Sequence, residues 1–470
     1  MREPLGPVDA AWFHLDRPEN TADVVALLAF RRLPRFDRLR ALVEERLVTC
    51  PRFRQRVAAG RGLGASAWEE DPDFDLDRHL VRLHVAGPGA LAARLSALAS
   101  ARLDPAHPLW RVEAVEAPGE AALLVKLHHC IGDGFALVSL LLSLADEPPA
   151  AHGAAHAAPG WLRLAPWLDP AHALGPALRR PGGAVALAAQ AAGLAAALLR
   201  MAALRRPRAA WQRPLTGVRR VAWSAGAPLR EVRRAARAQG ATVNDLLVAA
   251  LSGAVRREMA RAGELGRDPV RALVPVNLRP GPPDARGGEL GNRFGLVYLD
   301  LPVAEPRRAG RLAAVRARMA ELKGRPDALA TLGALALMGM ARSLGRPATA
   351  FFSRKASLVV TNVPGPRTRL HLAGRALEHA MFWVPHPATL GVGVSILTYA
   401  GEVRIGVRAD QAVLPRPERL VAAFERELAA LVAAARPRRA GVSRRGGTGR
   451  TAAGFGPGPL APRPAPASAP

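Results

Sequence analysis

The chain has 470 residues, too many for one small core, and its 49% hydrophobic and 22% charged residues exclude a wholly disordered protein. Its two cysteines, Cys50 and Cys130, exclude a disulfide framework and a cysteine-rich zinc site. The formal net charge of +27 comes almost entirely from arginine. The arginines are spread widely without interleaved aromatic residues, which favours a codon bias over nucleic-acid binding as their cause. In either case a basic surface attracts anionic lipids and the phosphates of CoA.

The N-terminal residues contain no apolar core of signal-peptide length, so we expect the protein to stay in the cytoplasm. The longest largely apolar stretch, residues 184–199, is interrupted by Gln190 and consists mostly of alanine. It is shorter than a membrane span, so we expect any membrane association to be peripheral.

The first part of the chain, residues 1–145, alternates between strand-like and helix-like runs. Apolar runs at 24–30 and 121–127 predict strands. Apolar positions at helical spacing predict helices over 36–47 and 135–145.

Residues 146–213 are rich in Ala, Pro and Arg and are predicted to form a linker. Residues 184–204 within them predict a helix flanked by arginines. This helix either lies against the protein or lies in a membrane interface, and because alanine contributes little membrane affinity we slightly favour the first arrangement. Residues 438–470 contain mainly Arg, Gly, Pro, Ala and Ser and predict a disordered basic tail.

A second ordered part spans residues 214–437. Its strongest element is a helix that begins after Thr242, with Asp245 at the capping-box position. Strands mixed with helices in both parts indicate an α/β or α+β fold with two lobes. Strands are predicted at 272–276, 295–301, 357–360, 391–399 and 402–407, the last two joined by a hairpin turn at Ala400–Gly401.

The clearest chemical pattern is a histidine pair at the end of a predicted strand, where residues 128–134 read HHCIGDG. Consecutive strand residues point to opposite faces, so only one of His128 and His129 faces a given cleft. A histidine near neutral pKa can take a proton from an alcohol, which needs such a base to attack a thioester. The pattern therefore indicates general base catalysis, with Gly134 giving the turn its flexibility and Asp133 fixing it.

Three other interpretations of this motif compete with general base catalysis. A metal site that used Cys130 and Asp133 would need a further ligand cluster, and the sequence offers none, so we expect no metal. Two adjacent histidines in an apolar strand are poor candidates for ordinary core residues. An N-cap role for Asp133 in the helix that follows is expected in part and is compatible with catalysis.

The motif matches HHxxxDG, the signature of CoA- and carrier-dependent acyltransferases, and further segments resemble the bacterial wax ester synthase/diacylglycerol acyltransferase family. The resemblance spans about residues 4–435, apart from the middle insert, and follows the family's order through both lobes. The segments are PVDAAWFHLD from residue 7, FDLDRHLVRLHVAGPG from 74, LDPAHPLWRVEAVE from 103, ATVNDLLVAAL from 241, VPVNLRP from 274, GNRFGLVYLDLP from 291, TNVPGP from 361 and GVSILTYAGEVRIGVRAD from 393.

The resemblance implies a role for each motif residue. It makes His129 the general base, supported by His128, Asp133 and Gly134. It also implies a salt bridge from Asp133 to an arginine of the second lobe, for which Arg279 is our candidate. The remaining residues are expected to be scaffold near the site, namely Pro108, Leu109 and Trp110 at a packing corner, Asn244 and Asp245 in the first turn of a helix, and Asn292 in a turn.

The resemblance further implies a chloramphenicol-acetyltransferase-like fold of two lobes with the active-site tunnel between them. The expected reaction moves a fatty acyl group from acyl-CoA to diacylglycerol or a long-chain alcohol, without a cofactor. We expect the protein to associate peripherally with an anionic membrane surface, at the inner face of the cell membrane, or with lipid droplets. We expect no nucleic-acid partner.

Two alternatives stay open. One is a related HHxxxDG acyltransferase that acts on a carrier-bound or glycolipid hydroxyl, although the sequence contains no phosphopantetheine-carrier segment. The other is a non-catalytic lipid-binding protein, although such a protein has no evident need for an intact motif.

Overall fold

The computed structural model describes residues 2–58, 60, 66–147, 183–207, 211–266, 269–278, 290–340 and 342–435. The strands are β1 (Glu3–Pro4), β2 (Asp23–Phe30), β3 (Gln55–Ala58), β4 (Ala67–Glu70), β5 (Leu80–His84), β6 (Trp110–Ala117), β7 (Glu120–His128), β8 (Arg219–Trp223), β9 (Ala227–Pro228), β10 (Val270–Asn277), β11 (Phe294–Leu301), β12 (Leu358–Pro364), β13 (His371–Leu372), β14 (Arg375–Ala376), β15 (His379–Trp383), β16 (Val392–Tyr399) and β17 (Glu402–Asp410).

The helices flank these strands, and a short 3-10 turn covers Pro51–Phe53. The α-helices are α1 (Pro7–Leu15), α2 (Phe36–Arg46), α3 (Leu76–His79), α4 (Ala90–Ser100), α5 (Gly134–Ser143), α6 (Gly183–Ala203), α7 (Leu229–Ala238), α8 (Val243–Arg261), α9 (Arg308–Lys323), α10 (Asp327–Met340), α11 (Arg342–Ser353) and α12 (Pro417–Ala434).

Two mixed sheets organise the described residues. The first has the order β15-β2-β7-β6-β5, and the second has the order β11-β10-β12-β16-β17-β8 with β9 beside β17. Smaller sheets join β1, β4 and β3, and β13 with β14. Both large sheets belong to one compact unit.

The first sheet is built around the antiparallel pair of β2 and β7, whose register runs from Asp23 opposite His128 to Phe30 opposite Ala121. Strand β2 is an almost continuous apolar run that is buried along its length, as expected for a strand covered on both faces. Its outer neighbour, β15, comes from the far end of the sequence and pairs Trp383 with Val25. The sheet that presents the histidines therefore needs residues from both ends of the chain.

The second sheet packs against helices α8 and α12, which contact each other and share a core with β16 and β17. Helix α8 starts with the predicted capping box, in which the Thr242 hydroxyl accepts from Asp245 N and the Asp245 carboxylate accepts from Thr242 N. The predicted hairpin between β16 and β17 turns at Ala400 and Gly401, which have φ values of 48° and 83°.

Every predicted strand and helix in the described residues is observed with small shifts of its ends. Among those residues, no helix is both long and apolar enough to cross a bilayer. The boundaries at 145, 213 and 437 stay predictions. The tail, residues 438–470, and most of the linker before residue 183 lie outside the described residues.

Candidate active site

His128 and His129 lie where β7 ends. The β2–β7 pairing ends at Asp23 and His128, and the His129 amide then donates to Ala22 O at 2.8 Å. The His129 ring lines a cavity between the two large sheets, whereas the His128 ring is buried beside Asp16 and Asp23. The two rings thus face opposite sides, as the alternation of a strand requires.

Aromatic side chains hold the His129 ring in place. The Trp12 indole stacks on it with ring centroids 4.2 Å apart, and the Phe294 ring meets it edge-on at 5.6 Å. Burial lowers the pKa of His129 to about 4, and the nearby Asp133 carboxylate opposes that shift. At neutral pH the imidazole is therefore uncharged and able to accept a proton.

Asp133 fixes the turn after the histidines through two backbone amides that are far apart in the sequence. One carboxylate oxygen accepts from Ala136 N at 3.0 Å in the first turn of α5, so the expected N-cap role is confirmed. The other accepts from Arg293 N at 3.1 Å, in the segment that leads into β11. The predicted partner, Arg279, lies outside the described residues, so that salt bridge stays a prediction.

Asn292 links the histidine backbone to the N-terminal helix. Its Nδ2 donates to His129 O and to Asp9 Oδ1, each at 2.7 Å, and its backbone N donates to Asp9 Oδ1 at 3.0 Å. Burial raises the pKa of Asp9 to about 6, and the hydrogen bonds from Asn292 oppose that rise. The Asn292 side chain also favours the charged form of the His129 ring, and so opposes the lowering of the His129 pKa by burial. The contact with His129 makes Asn292 more than the turn residue that the sequence indicates.

The active-site cavity around His129 has walls from both halves of the chain. Its lining includes Trp12, Gly134, Leu273, Phe294 and Val363. Gly134 has no side chain to fill this space, and a Cβ there would lie 3.4 Å from Val363 Cγ2.

Two apolar cavities adjoin the active-site cavity. The helix-side cavity is lined by residues of α6, α10 and α11, among others. It shares four lining residues with the active-site cavity, namely Trp12, Leu273, Leu296 and Pro387. The strand-side cavity is lined largely by β2, β7 and β15 and shares Gly134 with it. A reactant with long hydrocarbon chains could thus place its reacting atoms beside His129 and its chains in apolar surroundings.

The surroundings of His128 contain side chains of the types that bind metal ions. Among the described residues, Asp16, Asp23 and His128 form a group whose ligand atoms lie within 4.8 Å of one another. However, Lys126 Nζ lies 2.9 Å from Asp23 Oδ2, and Arg102 Nε lies 2.7 Å from Asp16 Oδ2. These cations already balance the carboxylates and would repel a metal ion, so the group is better explained as a structural ion-pair network.

The other predicted residues lie near the site without lining its cavity. Leu109 O accepts from His128 N at 3.0 Å, and Trp110 stacks on His79, so residues 108–110 form the expected packing corner. Asn244 Oδ1 accepts at 3.0 Å from Asn362, which lines the cavity. Asp245 is occupied in the capping box of α8.

Sequence reasoning missed Trp12, Phe294 and Asp9 as members of the site. Trp12 and Asp9 lie in the PVDAAWFHLD segment and Phe294 lies in the GNRFG segment, both of which carry the family resemblance. Their contacts with the histidine turn join parts of the chain that are far apart in sequence. The sequence therefore identified the segments by resemblance but did not predict the roles of the individual residues.

Comparisons with known proteins agree over most of the chain. A model described as the wax ester synthase/diacylglycerol acyltransferase catalytic domain matches residues 5–247, and one described as the WS/DGAT C-terminal domain matches residues 290–432. The chain is 32% identical over 427 residues to the probable diacylglycerol O-acyltransferase tgs1 of Mycobacterium tuberculosis, covering 86% of this chain and 89% of that protein.

Solved structures have the same fold. The wax ester synthase/diacylglycerol acyltransferase from Marinobacter aquaeolei VT8 matches with a TM-score of 0.65 at 23% identity, over 92% of this chain and 99% of that one. The starter condensation domain of rhizomide synthetase matches with a TM-score of 0.56 at 15% identity, over 92% and 94% of the two chains. These matches confirm the predicted fold class.

Proposed function

Because the chain belongs to the wax ester synthase/diacylglycerol acyltransferase family, we propose that it transfers a fatty acyl group from acyl-CoA to the hydroxyl of diacylglycerol or a long-chain alcohol. The products would be triacylglycerol or wax ester, with free CoA. The observation that carries this proposal is the buried His129 ring, which lines a cavity that adjoins two apolar cavities.

In the proposed reaction, His129 removes the proton from the acceptor hydroxyl as its oxygen bonds to the thioester carbon. The carbon–sulfur bond then breaks, and the imidazolium returns the proton to the departing CoA sulfur. Each turnover forms one ester and one thiol, so no acyl-enzyme is required. The low pKa of His129 suits this cycle because a neutral imidazole can accept the proton and its conjugate acid gives it up readily.

Asp133 and Asn292 support the reaction by position. Asp133 holds the turn after His129 against the segment that contains Arg293, and Asn292 holds the His129 carbonyl. Both act through the backbone of the motif, so we assign them as positioning residues and His129 as the catalytic residue.

We also propose that the enzyme works in the cytoplasm, peripherally associated with the inner face of the membrane or with lipid droplets. Diacylglycerol and long-chain alcohols reside in such phases, and a chain with a net charge of +27 is attracted to anionic head groups.

The test is CoA release from palmitoyl-CoA by purified protein, with hexadecanol and dioleoylglycerol offered separately. We expect acceptor-dependent release that falls by roughly 10²–10⁴-fold in His129→Ala, the range typical of a general base. His84→Ala is the matched control because His84 is an exposed histidine on β5. Release without an acceptor, or equal release by His129→Ala and wild type, would refute the mechanism.

A further inference from the structure

Helices α6, α10 and α11 pack together on one side of the active site. Helix α10 contacts both of the others, and Phe352 of α11 packs against a cluster that includes Ala197 and Met201 of α6. The Arg200 side chain of α6 also pairs with Asp327 at the start of α10, at 2.9 Å. The three helices therefore form one packed group, and their exposed faces are here called the helical surface.

The helical surface exposes large apolar side chains. Among the described residues, six large hydrophobic residues are exposed, and five of them lie on these three helices. They are Val185 at 74%, Leu199 at 71%, Leu337 at 62%, Met340 at 66% and Phe351 at 46%. Single exposed apolar residues are ordinary, but five on adjoining helices indicate a surface that meets an apolar phase or a partner.

The charge pattern indicates which partner. From Gly183 to Leu199 the sequence carries no charge, and the residues of that stretch that the structure describes as exposed are alanines together with Val185 and Leu199. In residues 183–207 and 327–355 the one acidic residue is Asp327, which is buried against Arg200. Exposed basic residues flank the apolar surface, namely Arg205, Arg206, Arg346 and Arg354. Apolar side chains bordered by arginines suit an anionic phospholipid surface, because the apolar side chains can contact the acyl region while the arginines contact the head groups.

The inner sides of the same helices line the helix-side cavity. Leu198 of α6, Leu335 and Met338 of α10, and Phe352 of α11 all contribute to its walls. That cavity shares four lining residues with the active-site cavity. A lipid that enters between these helices would reach His129 through apolar surroundings.

We propose that the helical surface docks on anionic phospholipid and that the acceptor lipid enters the active site between α6, α10 and α11. This inference rests on the proposed function for the identity of the acceptor, but docking itself can be measured without catalysis.

Docking is tested by flotation with vesicles of phosphatidylglycerol and phosphatidylcholine. The variant combines Leu199→Ser, Leu337→Ser and Met340→Ser. The matched control is Val218→Ser, because Val218 is the one of the six exposed large hydrophobic residues in the described part of the chain that lies outside the helical surface. We expect at least a tenfold loss of vesicle binding in the triple variant and none in the control. A second variant, Arg205→Gln with Arg354→Gln, should lose the preference for phosphatidylglycerol over pure phosphatidylcholine.

Entry is tested with two acceptors. Hexanol and hexanoyl-CoA are offered in solution, whereas dioleoylglycerol is presented in vesicles. The triple variant should keep the first activity and lose at least tenfold of the second. Its melting temperature should equal that of the wild type, because the three side chains are exposed.

Several results would overturn the proposal. Failure of the wild type to float refutes docking, while transfer to hexanol would leave the proposed function standing. Flotation without transfer to any acceptor refutes the proposed function and leaves docking standing. Equal loss of both activities in a triple variant that melts like the wild type refutes the entry route. A dimer in sedimentation that the triple variant abolishes, together with unchanged flotation, would assign the helical surface to self-association.

Discussion

Lowering the pH tests the assignment of His129 directly, because burial places its pKa at about 4 rather than near 6.5. At pH 5 a base with a pKa of about 4 is roughly nine-tenths unprotonated, whereas an ordinary histidine would be only about 3% unprotonated. The two cases differ by roughly 30-fold in the active form of the free enzyme. We therefore expect kcat/KM at pH 5 to remain close to its value at pH 7.5.

The assay measures kcat/KM for CoA release from hexanoyl-CoA with hexanol between pH 4.5 and 8, with each reaction quenched before the thiol is determined. These substrates stay in solution, so changes at a lipid surface do not enter the result. Tryptophan fluorescence at each pH confirms that the protein remains folded over the range that is fitted.

Asp9 needs its own control because burial raises the pKa of its carboxyl to about 6 and its side chain accepts from Asn292. Protonation of Asp9 could add an inflection near pH 6, and Asp9→Asn should remove it while leaving the lower limb. An acid limb near pH 6.5 that persists in Asp9→Asn would show that a solvated histidine, or another group, acts as the base.

Three further predictions concern the surroundings of His129. Replacing Asn292 with Ala should lower kcat by about 10- to 100-fold with little change in KM, because the His129 carbonyl loses the hydrogen bond that positions it. If the same substitution lowers kcat by the same factor in a His129→Ala background, Asn292 does not act through the histidine. Replacing Lys126 with Met should lower the free energy of unfolding, measured in urea, by roughly 3–5 kcal/mol, because the buried Asp23 carboxylate would lose its partner. Adding Asp23→Asn to this variant should restore part of the lost stability. The free energy of unfolding should also fall as the pH drops from about 6.5 to 4, by roughly 3 kcal/mol for His129 alone, because the unfolded chain binds a proton at this histidine before the folded chain does. The raised pKa of Asp9 has the opposite effect, since the folded chain protonates that carboxyl first. A His129→Gln variant whose stability depends on pH as that of the wild type does would refute the assignment.

Local features of this fold were predictable from sequence. The capping box at Thr242 and Asp245, the turn at Ala400–Gly401 and the apolar run of β2 each depend on residues close together in the chain. Strand alternation predicted that the two histidines face opposite sides, whereas the choice of His129 as the base came from the family resemblance.

The contacts that complete the site were not predictable in this way. Asn292 reaches His129 across 163 positions, and Trp12 and Phe294 meet the histidine ring from segments that are far apart in the sequence. Resemblance marked these segments as important, but only packing shows that their side chains surround one imidazole. The low pKa of His129 likewise arises from that burial, which the motif alone does not reveal.

The pairing of β15 with β2 has a consequence for how the enzyme is made. Until residues 379–383 have been synthesised, the apolar strand β2 lacks its outer neighbour and presents an open edge. Such an edge invites pairing with other chains, and the long separation makes its closure a late, slow event in folding. Chains that terminate before residue 379 should therefore aggregate rather than accumulate as a half-enzyme, even though they contain the complete histidine motif.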